Sequence, residues 1–273
     1  MNSLGGIKDD CIVTKVKDDH FYVVLNAANK DKVMVHMRVH ANKKKFPDLE
    51  FHIDTPETKS LIAVQGPHAQ HVLEQVLDES PNLSNLGFME STQDLMFKHD
   101  ELIVSRCGYT GEDGFEISLP NTQVDKFMDK IFLVKNAQGE QMAAPVGLGA
   151  RDSLRIEAGL CLYGHELDEE TSPIRAMLAW TISKRRKEEL GFLGHEMVKL
   201  HMEEGVLRKR CGFVGGKVPI REGTSIYTKN SDGSAGEYVG DVSSGTVTPT
   251  VGSAIGMAYV MTPHNKFGTE LVA

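Results

Sequence analysis

The 273-residue sequence predicts an α+β region followed by a C-terminal antiparallel β-barrel, with domains at 1–190 and 191–273. Three observations carry that expectation. In the earlier part, short β-rich runs alternate with segments whose apolar residues recur at helical spacing. From "LRKRCGFV" onward the chain is a series of brief β-segments, "KVPIREGTSIY" and "EYVGDVSSGTVTPTVGSAIGMAYV", broken by Gly, Pro, Asn and Asp. That is the pattern of small antiparallel sheets. Between the two parts, the charged run "SKRRKEE" marks the change of character.

Taken in order, "CIVTKV" and "FYVVLNA" are rich in β-branched and aromatic residues and are joined by the polar "KDDH", which predicts a hairpin. A basic helical stretch at "KKK", Lys43 to Lys45, precedes a short buried strand at "SLIAVQG". "PHAQHVLEQVL" places Pro67 at a helix start, with apolar residues at helical spacing. "DLMFKHDELIVSRC" supplies two more strands, followed by the glycine-punctuated loop "GYTGEDG" and the strand "FEISLP". In "QVDKFMDKIF", residues Val124, Phe127, Met128, Ile131 and Phe132 share one helical face. "GLGARDSLRIEAGL" reads as a helix from near Gly149 to Gly159.

Composition narrows the function. A net charge of −8 argues against a generalist nucleic-acid binder, which needs a basic face. The four cysteines are widely spaced, without a CxxC pair, which fits a reducing compartment. The 11 histidines lack an HExxH motif, so no metal site is expected. No apolar run is long enough to span a bilayer. No signal or transit peptide is evident, but the sequence begins so abruptly inside a structural motif that this carries little weight.

That motif is "GGIKDD", Gly5 to Asp10. Asp is a poor strand former and adjacent carboxylates repel. Neighbouring side chains of an extended chain point to opposite faces, so at most one of Asp9 and Asp10 looks into a given cavity. The residues alone leave a solvated turn, with Gly5 and Gly6 supplying unusual backbone angles, as the competing reading.

Three segments, "GGIKDD", "RCGYTGEDGFEI" and "ARDSLRIEAGLCLYGHELDE", join "LAWTISKRR", "GDVSSGTVTPT" and "AIGMAYV" in a longer pattern. From first residue to last, the chain resembles the aminomethyltransferase, or T-protein, family of the glycine cleavage system. The resemblance implies a three-leafed fold around a central folate-binding channel, two leaves being α+β and discontinuous in sequence and the third a C-terminal barrel. It implies transfer of a one-carbon unit from the aminomethylated lipoyl arm of the H-protein to tetrahydrofolate, releasing ammonia and giving 5,10-methylenetetrahydrofolate. It also implies a mitochondrial matrix location in a eukaryote or a cytoplasmic one in a bacterium, and no metal.

Residue by residue, Asp10 matches the family's essential aspartate, suited to orient the folate nitrogen and handle the proton of the transfer; Asp9 then serves the turn. Glu116 matches the carboxylate that accepts from the pterin edge, against the alternative of an exposed strand residue. Tyr109 fits an aromatic wall beside the pterin, or a loop tyrosine packed on the core. Arg151 is the expected ligand for an acidic group of folate, with Arg155 in support; intrahelical pairing with Asp152 or Glu157 is the alternative. Val24 and Asn26 match pterin-pocket positions, although a strand-ending Asn is also a turn former. Trp180 is expected beside the p-aminobenzoyl ring or else in the core. The run Lys184 to Lys187 is a solvated stretch or a contact for an acidic H-protein surface.

There are departures. Arg175 stands where the family commonly carries Glu. The family also has a long segment ahead of "GGIKDD" and a last strand and tail beyond "ELVA", so a chain truncated at both ends is the expectation. Competing assignments are the folate domain of dimethylglycine or sarcosine dehydrogenases, whose flavin domain would need a GxGxxG fingerprint that is absent here, and the folate-binding iron–sulfur maintenance protein, whose "KGCYxGQE" signature is replaced by "RCGYTGEDG". A catalytically dead folate- or H-protein-binding module is the reading from a different class.

Overall fold

The structure is a computed structural model that describes residues 1–41, 44, 46–50, 52–54 and 57–273. Strands β1 (Ile12–Lys15) and β2 (Phe21–Val24) form the two-stranded sheet expected of "CIVTKV" and "FYVVLNA", closed by Val16 N–H donating to His20 O at 2.9 Å. The first α-helix is α1 (Lys30–His40). Lys43 and Lys45 of the basic stretch read as helical lie outside the described residues.

Next come β3 (Lys59–Gln65), α2 (Ala69–Val76), β4 (Ser91–Phe97), β5 (Asp100–Ser105), β6 (Gly114–Pro120), α3 (Val124–Leu133) and α4 (Leu148–Glu157). Helix α2 begins two residues beyond Pro67, and β4 starts earlier than "DLMF" suggested. The charged run forms the short helix α5 (Lys184–Glu189), and a further helix that sequence reading missed, α6 (His195–Glu203), follows it. Of α6 only Val198 is fully buried, which is why its helical period was faint. The chain ends in β7 (Arg208–Val214), β8 (Ser225–Lys229), β9 (Ala235–Val247), β10 (Ala254–Met261) and β11 (Leu271–Val272).

These elements sort into two compact units, each drawn from separated stretches of chain. The first comprises residues 1–12, 24–40 and 152–273; the second comprises 13–23 and 41–151.

In the second unit the sheet has the order β3-β6-β5-β4, antiparallel throughout. The two-residue period of β6 decides its faces. Phe115, Ile117 and Leu119 turn to the core, with Val64 and Ile62 opposite Phe115 and Ile117 across the pair with β3. Helices α2 and α3 cover that side through Val72, Leu73, Phe127 and Ile131, and the rings of Phe97 and Phe127 meet edge to face at 5.1 Å. Truncating one of these buried phenylalanines to alanine costs about 3–5 kcal/mol. Glu116 and Ser118 necessarily take the opposite side of the sheet.

In the first unit β7 to β11 form an antiparallel sheet in the order β11-β8-β9-β10-β7. Register shifts interrupt the β9–β10 and β8–β9 pairings, and bulges of this kind bend a sheet. Ile226, Val239, Val242, Ala258 and Val260 form one core; Ile7, Cys161, Leu167 and Ala176 form another. The fold class expected from sequence, α+β with a C-terminal antiparallel sheet domain, is the one observed.

Candidate functional site

In the first unit the opening segment is placed by its glycines. Gly5 has φ of 78°, and a Cβ on Gly6 would run into the carbonyl of Glu169, so only glycine lets the backbone lie against the "HELDEE" turn. Asn2 Nδ2 donates to Glu169 O at 2.8 Å, and Ile7 N–H donates to both Asp168 O and Thr171 O at 3.0 Å. The Tyr163 hydroxyl donates to Ile7 O at 2.9 Å. Lys8 and, from α1, Lys32 meet the Glu169 carboxylate at 2.8 and 3.4 Å. Two motifs far apart in sequence thus make one substructure that delivers Asp9 and Asp10.

The two aspartates have different surroundings. Asp9 is half-buried and accepts from the Asn26 backbone N–H at 3.1 Å, from Asn26 Nδ2 at 2.9 Å and from Asn29 Nδ2 at 2.6 Å. Asp10 is exposed and accepts at Oδ1 from Asn26 Nδ2 at 2.6 Å. Although exposed by area, Asp10 has enough protein around it to lose hydration. That burial raises its pKa; Asn26 and the Asp10 backbone N–H oppose the rise, and the charge of Asp9 adds to it. Asp9 ties down the turn, whereas Asp10 is an accessible carboxylate with raised proton affinity.

In the second unit Glu116 has a comparable environment. Burial raises its pKa, while the positive charge of Arg151 and a hydrogen bond donated by the Cys107 thiol pull it down. The thiol pays for that bond in acidity: burial first, then the charge of Glu116, push Cys107 up to about 12. The Arg151 guanidinium lies 4.8 Å from the centre of the Tyr109 ring, a stacking contact that an ammonium reproduces poorly. Tyr22 is hydrogen-bonded to Ser118 and lies close enough to Glu116 for the carboxylate to raise the phenol's pKa, after the larger effect of burial.

The loop carrying Tyr109 is braced at its base. Arg106 Nε and Nη2 donate to Asp113 Oδ1 and Oδ2 at 2.8 and 2.7 Å, and Nη1 donates to Leu83 O and Leu86 O at 3.1 and 3.0 Å. The hydrogen bonds from Arg106 hold Asp113 below the usual carboxylate range. Sequence reading missed this brace, and it missed Asn29 and Tyr22.

Of the residues expected at the site, Asp10 and Asn26 are in contact within the first unit, and Glu116, Tyr109 and Arg151 cluster within the second. Val24 is half-buried at the end of β2. Trp180 is 77% exposed in a 3-10 turn, so the core alternative is wrong for it. Arg155 is corrected as well. It is 2% exposed, gives Nη1 to Glu166 Oε2 at 2.8 Å and Nη2 to Ser244 Oγ at 2.7 Å, and meets Asp152 Oδ1 at 2.9 Å. Its donors are spent on the protein. Arg175 donates Nη1 to Glu170 O at 3.1 Å. Along α5, Lys184 and Arg185 face Glu188 and Glu189 at 4.0 and 2.6 Å, so part of the basic run is neutralised locally.

Two family models match the chain: the GCVT N-terminal domain over residues 1–186 and the glycine cleavage T-protein C-terminal barrel domain over residues 208–273. The mitochondrial aminomethyltransferase of Dictyostelium discoideum is 41% identical over 273 residues, covering 99% of this chain and 66% of its own length. That of Solanum tuberosum is 40% identical over 272 residues, covering 99% of this chain and 64% of its own. The crystal structure of glycine cleavage system aminomethyltransferase T from Bartonella henselae superposes with a TM-score of 0.82 at 33% identity, over 99% of this chain and 69% of that one. The chain therefore belongs to the glycine cleavage T-protein family. It spans slightly less than two thirds of the length of these curated relatives.

Proposed function

We propose that this chain is an aminomethyltransferase that passes a one-carbon unit from the aminomethyl-lipoyl arm of an H-protein to tetrahydrofolate, releasing ammonia and 5,10-methylenetetrahydrofolate. The observation that carries the reading is the division of labour between Asp9 and Asp10. A proton-handling group must reach the reacting atoms and gains from a proton affinity above that of a free carboxylate. Asp10 is exposed and has a raised pKa, whereas Asp9 is held by three donors. Relatives bearing the name aminomethyltransferase support the activity.

In this reading Asp10 orients the attacking folate nitrogen and manages the proton that leaves with the amine. Glu116 accepts from the 2-amino and ring N–H edge of the pterin, Tyr109 walls the ring, and Arg151 takes an acidic group of the folate. Val24 and Asn26 line the pterin pocket, and Trp180 flanks the p-aminobenzoyl ring. Glu116 fits such a ligand: a half-buried carboxylate beside a single thiol donor and one cation keeps acceptor capacity for two more N–H groups. The domain boundary at about residue 190 is part of the same reading. A mitochondrial location follows the names of the relatives.

The test is methylenetetrahydrofolate formation by the purified chain with lipoylated, aminomethylated H-protein, alongside calorimetric titration with tetrahydrofolate. Binding with turnover supports the reading. Binding without turnover assigns the chain to a folate-binding module, and no binding removes the folate site.

A further inference from the structure

Gln65, the last residue of β3, lies opposite Gly114 in the pairing with β6. Because Gly114 has no side chain, the Gln65 amide occupies the space above it. Gly108, on the other side of the loop, is bare for the same reason: a Cβ on either glycine would run into the Gln65 side chain. Neither glycine has a positive φ, so close approach and not backbone freedom explains them.

The amide uses this position fully. Gln65 Nε2 donates to Cys107 O at 3.0 Å and to Phe115 O at 3.2 Å, while its Oε1 accepts from Thr110 Oγ1 at 3.4 Å. One side chain therefore grips both ends of the loop. The two gripped carbonyls belong to Cys107 and to the residue just before Glu116. Cys107 is 4% exposed and gives its thiol hydrogen to the Glu116 carboxylate. Such a bond is directional, so its geometry depends on where the backbone holds the two residues.

We infer that Gln65 is a positioning residue for Glu116, acting through the two carbonyls it holds and the Cys107 thiol they aim. The inference rests on the reading of Glu116 as the pterin-edge acceptor. Without the amide, the buried Cys107 and Phe115 carbonyls lose the donor that holds them in place, the thiol loses its aim, and Glu116 loses one of the two groups that favour its ionised form. Folate affinity then falls, and the pH at which binding is half-lost on acidification moves up.

The experiment compares the unsubstituted chain with Gln65→Glu, Gln65→Met, Gly108→Ala and Glu116→Ala. Each is titrated with tetrahydrofolate by calorimetry between pH 5 and 8, with thermal unfolding in parallel. Gln65→Glu keeps size and shape but loses both donor bonds, and Gly108→Ala expels the amide without altering it. The expected result for the Gln65 and Gly108 variants is a tenfold or greater rise in Kd with an upward shift of the acid midpoint in folded protein. A residue needed only for packing would lower Tm and leave the Kd and midpoint of the folded fraction in place, and that outcome overturns the inference. So does unfolding of all three variants. If Glu116→Ala weakens binding and the Gln65 variants do not, only the role of Gln65 falls. If Glu116→Ala binds normally, or the unsubstituted chain does not bind, the reading of Glu116 falls first and the inference with it.

Discussion

The side-chain amide of Asn26 donates to Oδ1 of Asp10 at 2.6 Å, and the same nitrogen reaches Oδ1 of Asp9 at 2.9 Å. One amide thus screens two adjacent carboxylates and distinguishes them, since Asn29 adds its own donor only to Asp9. Asn26, expected from the family resemblance to line the pterin pocket, is also what lets the two carboxylates sit side by side, with Asn29 sharing the load on Asp9.

Replacing Asn26 by Ala removes these donors from two crowded carboxylates, at a cost of roughly 1–3 kcal/mol. Because Asn26 is the side chain that pulls the pKa of Asp10 down, its loss moves the acid limb of the pH–rate profile to higher pH. Thermal unfolding and the profile of kcat/KM check the two effects. A profile that does not move would separate Asn26 from Asp10.

Glu116→Ala is expected to weaken tetrahydrofolate binding by about tenfold or more, equivalent to 1–3 kcal/mol for each unpaired donor left behind. Glu116→Gln should recover only part, since its amide oxygen accepts while its nitrogen faces another donor. The ligand-free protein should respond in the opposite sense. The folded pKa of Glu116 lies above its ordinary value because burial disfavours the charge. Its contribution to stability is therefore largest below the ordinary carboxylate range and is lost as pH rises through the folded value. At neutral pH Glu116→Gln is expected to raise Tm slightly, with the gain vanishing near pH 4. Equal effects at both pH values would remove the burial argument.

Arg155 gives a stability test away from the chemistry. Its partner Glu166 is 1% exposed and also accepts from Ser243 Oγ at 2.6 Å and from Leu162 N–H at 2.9 Å. Arg155→Met strands that carboxylate and is expected to cost about 3–5 kcal/mol. The double change Arg155→Met with Glu166→Leu should recover a large part. Denaturant unfolding of the single and double variants measures both.

The parts legible in sequence were those fixed by local periodicity. The alternation of Phe115, Ile117 and Leu119 and the helical face of Phe127 and Ile131 each reflect one buried side of one element. Helix α6 escaped because it buries little, and β11 because it has only two residues. The aspartate pair, Glu116 and Arg151 were singled out only through family motifs, since nothing in their spacing marks a chemistry, and their roles are those proposed above. Gln65 and Arg106 were not legible at all. Their roles depend on contacts across a folded loop, and the one available signal, glycines at both 108 and 114, tells that something lies close without telling what. Arg155 was misread because Arg151 and Arg155, one helical turn apart, have different surroundings that periodicity alone does not reveal.

Trp180 offers a spectroscopic check. It is the single tryptophan and is largely exposed, so the free protein should emit at long wavelength. If it flanks the p-aminobenzoyl ring, tetrahydrofolate will quench that emission with the same Kd as calorimetry gives, and Trp180→Phe will bind within a few fold of the unsubstituted chain. Binding without quenching would place Trp180 outside the site.

The most direct measurement is the paired kinetics of Asp10→Asn and Asp9→Asn, followed as methylenetetrahydrofolate formation with aminomethylated H-protein. General acid–base roles are typically worth about 10²–10⁴-fold. The account expects a loss in kcat of that order for Asp10→Asn, with tetrahydrofolate affinity within a few fold of normal. For Asp9→Asn it expects a lower Tm and a far smaller change in kcat. Equal losses of kcat in the two variants would contradict the assignment of the chemistry to Asp10 and of the turn to Asp9.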